Sequence, residues 1–199
     1  MNQDDVEIID RKICYEGFFR IESYKLRHRL FRGSWSDTIT RELFERGHAV
    51  AVLPYDPHRD EVVLIEQFRI GALIAGLEPW LWEIVAGVIE ADESVENVAR
   101  REAIEESGCT ITDLLPVCQY LVSPGGTSEQ ITVFCGRTDA SEANGIHGIA
   151  AEGEDIRAAA YPFTEAVAMV QSGRINSASP IIALQWLSLN KDYVIRQWR

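Results

Sequence analysis

The sequence has no apolar run approaching the roughly 18 residues that a membrane-spanning helix needs, and its start, MNQDDVEIIDRK, has no apolar stretch of the kind that directs export. Both absences point to a cytoplasmic protein with no place in a membrane. Positive charge is scarce too: 19 Lys and Arg stand against 31 Asp and Glu, a net charge of -12. Such a chain repels a polyanion, which excludes a general nucleic-acid binder. Cys14, Cys109, Cys118 and Cys135 form no C-x-x-C pair and have no histidine at zinc spacing, so neither a structural zinc site nor a redox motif is predicted. They are expected to be reduced residues of the core. His28, His48, His58 and His147 are equally dispersed, and none lies beside a serine or cysteine signature for nucleophilic catalysis. All four read as structural or surface residues.

What the chain does have is 199 residues, an apolar fraction of 46 % and a charged fraction of 25 %, enough for a real core in one or two domains. The first 45 or so residues alternate over 17–24 and 37–44 around a basic segment at 25–32, which reads as antiparallel strands of a small lobe. From His48 onward, strand-like runs at 49–53 and 62–67 flank a turn-rich segment and predict a hairpin. A strand over 80–86, a Gly-led loop, a helix, and strands near 117–122 and 131–136 follow. A polar, Gly-rich stretch at 139–155 is long enough to suggest a functional loop. A short strand at 157–161 and helices over 164–171 and 179–189 complete the chain, with Gly173 stopping the first of these helices.

The segment from Gly87 to Gly108 carries the chemistry. Ser94 is the expected N-cap and Gly108 the closing residue of a helix between them. At about 100° per residue, Val95, Val98 and Ala99 share an arc with Glu102, Glu105 and Glu106. The face that enters the core in the first half of the helix is therefore occupied by carboxylates in the second. Two carboxylates about 4 Å apart repel by about 4 kcal/mol at an effective dielectric of 20, so a partly buried cluster must gain protons, arginine partners or a metal. Oxygen ligands select Mg²⁺ or Mn²⁺, and Mg²⁺ favours one or two carboxylates together with substrate phosphates.

An E-x-x-E-E triplet alone is usually a solvated helix face. Here it stands in a longer spacing: Gly87, five residues, Glu93, seven residues, Arg101-Glu102, then Glu105-Glu106 and Gly108. Seven fixed types at this spacing arise by chance at one start on the order of 10⁻⁹ to 10⁻⁸. The pattern resembles that of the Nudix hydrolases, with Ala103 and Cys109 as mild departures at the variable apolar positions. Over nearly its whole length the chain is similar to the ADP-ribose pyrophosphatase branch. The segments that carry this likeness are 41–47 (RELFERG), 66–69 (EQFR), 123–129 (SPGGTSE) and 145–148 (GIHG), with Pro124 at the branch's spacing after the box.

The resemblance implies an α+β fold, an α/β/α sandwich around a mixed β-sheet with a small N-terminal antiparallel β lobe. It divides the chain into a lobe at 1–45, exchanged between the subunits of a homodimer, and a catalytic domain at 46–199. By the same resemblance Mg²⁺, with Mn²⁺ as a substitute, is held by Glu102, Glu106, the backbone carbonyl of Ala86 and Glu154, with Glu105 nearby. The spacing agrees for two of these, since Glu102 and Glu106 form an i, i+4 pair. Glu93 and Arg101 read as an ion pair bracing the loop against the helix. The general base resembles Glu152, on a Gly-flanked loop suited to closure over substrate.

The substrate implied is a nucleotide sugar, ADP-ribose, hydrolysed to AMP and ribose 5-phosphate. Phe18, Phe19, Arg41, Glu42 and Arg46 of the exchanged lobe would approach its adenosine half. Arg69, Val88, Ser123, Pro124, Gly125 and Glu129 would line the rest. Two other readings stay open: hydrolysis of another nucleoside-diphosphate sugar such as GDP-mannose, since the box builds only the diphosphate site, and a non-catalytic nucleotide-sensing module, against which the full set of box carboxylates argues.

Overall fold

The structure, a computed structural model, describes residues 1–141 and 143–199. By internal contacts it divides into two units, Met1–His48 with Tyr120–Gln130, and Ala49–Gln119 with Ile131–Arg199.

The first unit is built on an antiparallel sheet of β1 (Val6–Glu16), β2 (Arg20–His28) and β3 (Ile39–Glu45), in that order. The sequence predicted two strands in this region, and β1 is a third. Every residue of β1 is exposed, and register shifts interrupt it at Ile8/Asp10 and Ile13/Tyr15, so it has no alternation to read. The buried centre of this small sheet is polar. Glu22, fully buried, accepts from Arg11 Nε and Nη2 at 2.7 Å each and from the Tyr24 hydroxyl at 2.6 Å, with Arg20 Nε 2.5 Å away. The hydrogen bonds from Arg11 and then Tyr24 hold the Glu22 carboxyl at about 2.

A carboxyl depressed in the folded state stabilises the lobe above its unfolded value near 4.5 and loses that contribution as pH falls toward 2. Replacing Glu22 by Gln leaves two arginines facing a neutral group. We expect the variant to lower the unfolding temperature at pH 7 by about 5 °C or more, a gap that closes as the buffer is brought toward pH 2. Equal melting temperatures for the two proteins at pH 7 would sink this assignment.

The second unit begins with the predicted hairpin, β4 (Ala49–Asp56) and β5 (Glu61–Phe68), with Tyr55 opposite Val62. A short helix the sequence did not announce, α1 (Ile70–Ile74), leads to β6 (Trp80–Glu83) and β7 (Val85–Val88). The single strand expected over 80–86 is in fact these two. The run is apolar apart from Glu83 and reads as one strand, but the chain changes partner at buried Ile84, β6 pairing with β5 and β7 with β4. Then follow α2 (Val95–Ser107), β8 (Leu114–Leu121), β9 (Gln130–Arg137), β10 (Asn144–His147), β11 (Ile156–Pro162), α3 (Phe163–Gln171) and α4 (Ala178–Gln197).

The sheet order is β10-β11-β5-β4-β9-β8, with β6 and β7 attached to β5 and β4, and the parallel pairing of β4 with β9 makes it mixed. The stretch at 139–155 is not one open loop, because it contains β10 and a 3₁₀ turn at Ala150–Glu152; position 142 within it lies outside the described residues.

Alternation along β4 explains the layers. Val50 and Val52 pack with Val63, Ile65, Ile156 and Ala158 against Val98, Ala99 and Ala103 of α2. Tyr55, on the opposite parity, sends its ring to Phe163 of α3 and to Trp198, both at 6.3 Å. Helices thus cover both faces of the sheet, the expected α/β/α sandwich. α4 runs past the predicted end at 189 because Val194 is buried beyond the polar turn at Asn190–Asp192. No helix among the described residues is long and apolar enough to cross a membrane.

Candidate active site

The second unit assembles the carboxylates. Ser94 caps α2 as expected, accepting from the Asn97 amide at 3.3 Å, and Gly108 closes it at φ 68°. β7 delivers Ala86 and Gly87 to the face of this helix. Glu106, 3 % exposed, accepts from the Ala86 amide at 2.9 Å, joining strand to helix. A Cβ at Gly87 would overlap the Glu102 side chain where it now lies, so any larger residue must displace that carboxylate. The box glycine is thus the cradle into which Glu102 folds.

Arg101 organises the outer side of the cluster. Its Nη1 donates to Glu102 Oε1 and Glu105 Oε2, both at 2.8 Å, while Nε and Nη2 reach Glu93 at 3.2 Å. The predicted brace between Glu93 and Arg101 is therefore present, and the same arginine also holds two candidate metal carboxylates. Hydrogen bonding to Arg101 keeps the Glu93 carboxyl below its ordinary range. Burial raises that of Glu102 and pushes Glu106 up to about 8, against the Ala86 amide and with the charges of Glu102 and Glu154 adding to the rise.

Glu154 enters from the segment after β10. Its Oε2 accepts from the Ile149 amide at 2.9 Å, and the Gly148 amide caps the Glu105 carbonyl of α2 at 3.0 Å. Glu152, which ends the 3₁₀ turn, is exposed. Among the described residues no three His, Cys, Asp or Glu side chains converge closely enough to hold a metal ion as they stand. Glu102, Glu106 and Glu154 nevertheless lie within one another's field. Their oxygens are hard donors, and Glu106 forms no ion pair among the described residues. A buried carboxylate that feels the Arg69 charge without pairing to it fits a divalent ion, and so does the donor chemistry.

Arg69 leads into α1, exposed, with its Nε on Glu83 Oε2 at 2.8 Å, and Val88 ends β7 with half its surface exposed. Glu83 was not foreseen as a site residue, because nothing in its spacing ties it to Arg69.

In the first unit, Phe18 and Phe19 stack edge-on at 4.8 Å, and Phe19 meets Phe44 at 5.1 Å. The Arg46 guanidinium lies 5.3 Å over the Phe19 ring and 3.3 Å from Glu129 Oε1. Phe18, Phe19 and Arg46 line a cavity of about 400 Å³. Ser123, Pro124 and Gly125 form an exposed turn, tied to β3 by the Phe44 amide on the Gly126 carbonyl at 2.8 Å. Arg41 and Glu42 are exposed on β3, opposite Tyr24 and Ser23, outside that cavity.

A helix bearing spaced carboxylates, held on a strand by a buried glutamate and a glycine cradle, is the arrangement of a hydrolase box, and the sequence pattern of the NUDIX domain matches residues 45–184. The chain belongs to the NUDIX family.

Among its relatives, the ADP-ribose pyrophosphatase of Escherichia coli K12 is 52 % identical over 196 residues, covering 98 % of this chain and 94 % of that protein. The ADP-ribose pyrophosphatase of Haemophilus influenzae is 40 % identical over 201 residues, covering 100 % and 93 %. A GDP-mannose pyrophosphatase of Cronobacter sakazakii is 35 % identical over 197 residues, covering 93 % and 96 %. The crystal structure of an ADP compounds hydrolase shares the fold, with a TM-score of 0.69 at 20 % identity over 92 % of this chain and 95 % of that one.

Proposed function

We propose that this protein hydrolyses the diphosphate bond of ADP-ribose, giving AMP and ribose 5-phosphate. The observation that carries the hydrolytic reading is Glu106, buried on the Ala86 amide beside a Glu102 folded over Gly87. The choice of ADP-ribose over GDP-mannose rests on the higher identity, 52 % against 35 %, to the relatives named for it.

Glu102, Glu106 and Glu154, with Glu105 and the Ala86 carbonyl, are the groups that would hold Mg²⁺ or Mn²⁺. Bound there, the ion supplies charge neutralisation of the diphosphate and a lowered pKa for water. Glu152 accepts the proton of the attacking water at its carboxylate, and an exposed position on a Gly-flanked segment suits a base that closes on substrate. Arg69, oriented by Glu83, offers its outer nitrogens to the phosphates.

On the lobe, Phe18, Phe19 and Arg46 offer stacking and charge to the adenosine half, together with Arg41 and Glu42. Val88, Ser123, Pro124, Gly125 and Glu129 contribute to the remaining walls. The lobe at 1–45 is exchanged between two subunits, a reading supported by β1, an edge strand whose Ile8 and Tyr15 stay 60 % and 62 % exposed. Four free cysteines support a reducing compartment such as the cytoplasm.

Mass spectrometry of the products formed from ADP-ribose in ¹⁸O-labelled water, with Mg²⁺ and with chelator, tests this reading. AMP and ribose 5-phosphate are expected with metal and not with chelator, the label marking the phosphorus attacked. ADP-ribose left intact under conditions in which GDP-mannose is cleaved would move the protein to the other branch.

A further inference from the structure

We propose that His147 is a positioning residue for this reaction: its ring, seated between Gly108 and Gly145, pins the segment that carries Glu152 and Glu154 to the C-terminal end of α2. The proposal rests on the reading of Glu152 as the base. β10 is a four-residue strand at the edge of the sheet, paired to β11 with His147 opposite Ile156. A strand that short, at an edge, holds little by itself. The second tie comes from α2.

Gly108 closes α2 in the left-handed region, and a Cβ there would come within 2.9 Å of His147 Cε1. At Gly145 a Cβ would come within 3.2 Å of Nε2. The imidazole therefore fills the space that two glycines leave open. Its Nε2 is buried and has no hydrogen-bond partner, so on that side the ring is held by shape. The last glycine of the box thus has a role beyond helix closure, since it admits the ring of a residue far along the chain.

What the ring fixes is passed on through the backbone. Directly after His147, the Gly148 amide donates to the Glu105 carbonyl at 3.0 Å, satisfying one of the last carbonyls of α2. The next amide, of Ile149, donates to Glu154 Oε2 at 2.9 Å, and the Ile149 carbonyl accepts from the Glu152 amide at 2.8 Å. The Glu154 carboxylate and the backbone of Glu152 are thereby referred to residue 149, and residue 148 to the end of the box helix. Glu152 is exposed, so its placement depends on this support from behind.

The test combines hydrogen exchange with kinetics on His147→Ala and the milder His147→Asn. In His147→Ala the Gly148 amide is expected to exchange at least about tenfold faster while the amides of Ala99 and Ala103 inside α2 keep their protection. The same variant should lower kcat by about tenfold and leave KM for ADP-ribose within about twofold, with His147→Asn between it and wild type. In a Glu152→Gln background the loss should largely vanish, because the base it positions is gone. Unchanged exchange at Gly148 in a folded variant overturns the clamp, and a full further loss in the Glu152→Gln background overturns its route through Glu152. Wild-type turnover by Glu152→Gln itself overturns the base assignment and that route together, an outcome distinct from failure of the clamp. If His147→Ala does not fold, the same readouts on His147→Asn decide.

Discussion

Glu106→Gln is expected to lower turnover of ADP-ribose by at least about tenfold at limiting Mg²⁺ and, in chelator at pH 8, to raise the unfolding temperature by several degrees. The two signs have one cause. Burial pushes the Glu106 carboxyl from 4.5 up to about 8, so the folded protein keeps a proton that the unfolded chain has released. A carboxyl raised in this way contributes stability that is fully present below about 4.5 and is lost as pH rises through about 8. Glu102, raised by burial as well, adds in the same sense. The amide of Gln still accepts from Ala86 but carries no charge to desolvate, and it is a much weaker ligand for a hard cation. The variant therefore escapes the destabilisation and loses the metal. Unfolding temperatures from pH 4.5 to 8 in chelator, beside rates against Mg²⁺ concentration, check both halves. A stability difference that does not change with pH would remove the buried-carboxylate argument, and unchanged turnover at limiting Mg²⁺ would remove the metal assignment.

The helix that bears Glu106 was fully legible in the sequence, because its signals are local. Ser94 and Gly108 act on backbone groups within one turn of themselves, and the spacing of Glu102 and Glu106 follows from helix geometry alone. Elements defined by a distant partner were not legible. Nothing between Trp80 and Val88 announces that the chain leaves β5 for β4 at Ile84, since no glycine or proline stands at the break and the single charged residue, Glu83, is compatible with one unbroken strand. β1 was missed because an exposed strand has no buried parity, and β10 because Asn144–His147 offers no apolar alternation. The same division runs through the site. Glu154 came only from the resemblance, and the contacts of Glu83 with Arg69 and of His147 with Gly108 join residues that nothing in the sequence pairs. Local chemistry predicts which residues are equipped to act, whereas the supports that aim them are tertiary.

Gly87→Ala should reduce kcat/KM by about a hundredfold at limiting Mg²⁺ while leaving the fold in place. Gly87 is not among the residues of positive φ, so alanine suits its backbone, and on β7 it pairs with Val50 in ordinary antiparallel register. The atoms nearest the added methyl are Cγ, Cδ and Oε1 of the Glu102 side chain. A flexible carboxylate end moves aside at little cost to folding, but moving takes it off Arg101 and away from the field of Glu106 and Glu154. The substitution thus acts on Glu102 without altering its chemistry, and its damage is to geometry. Gly71→Ala is the control, on an exposed glycine of α1 with no atom within 4 Å of the new methyl, and it should leave the rate unchanged. Excess Mg²⁺ is expected to recover part of the loss in Gly87→Ala, because the remaining carboxylates still attract the ion. A Gly87→Ala protein that matches wild type across the Mg²⁺ titration would show that Glu102 does not need its seat on β7, and the cradle would then be a packing feature with no part in binding the metal.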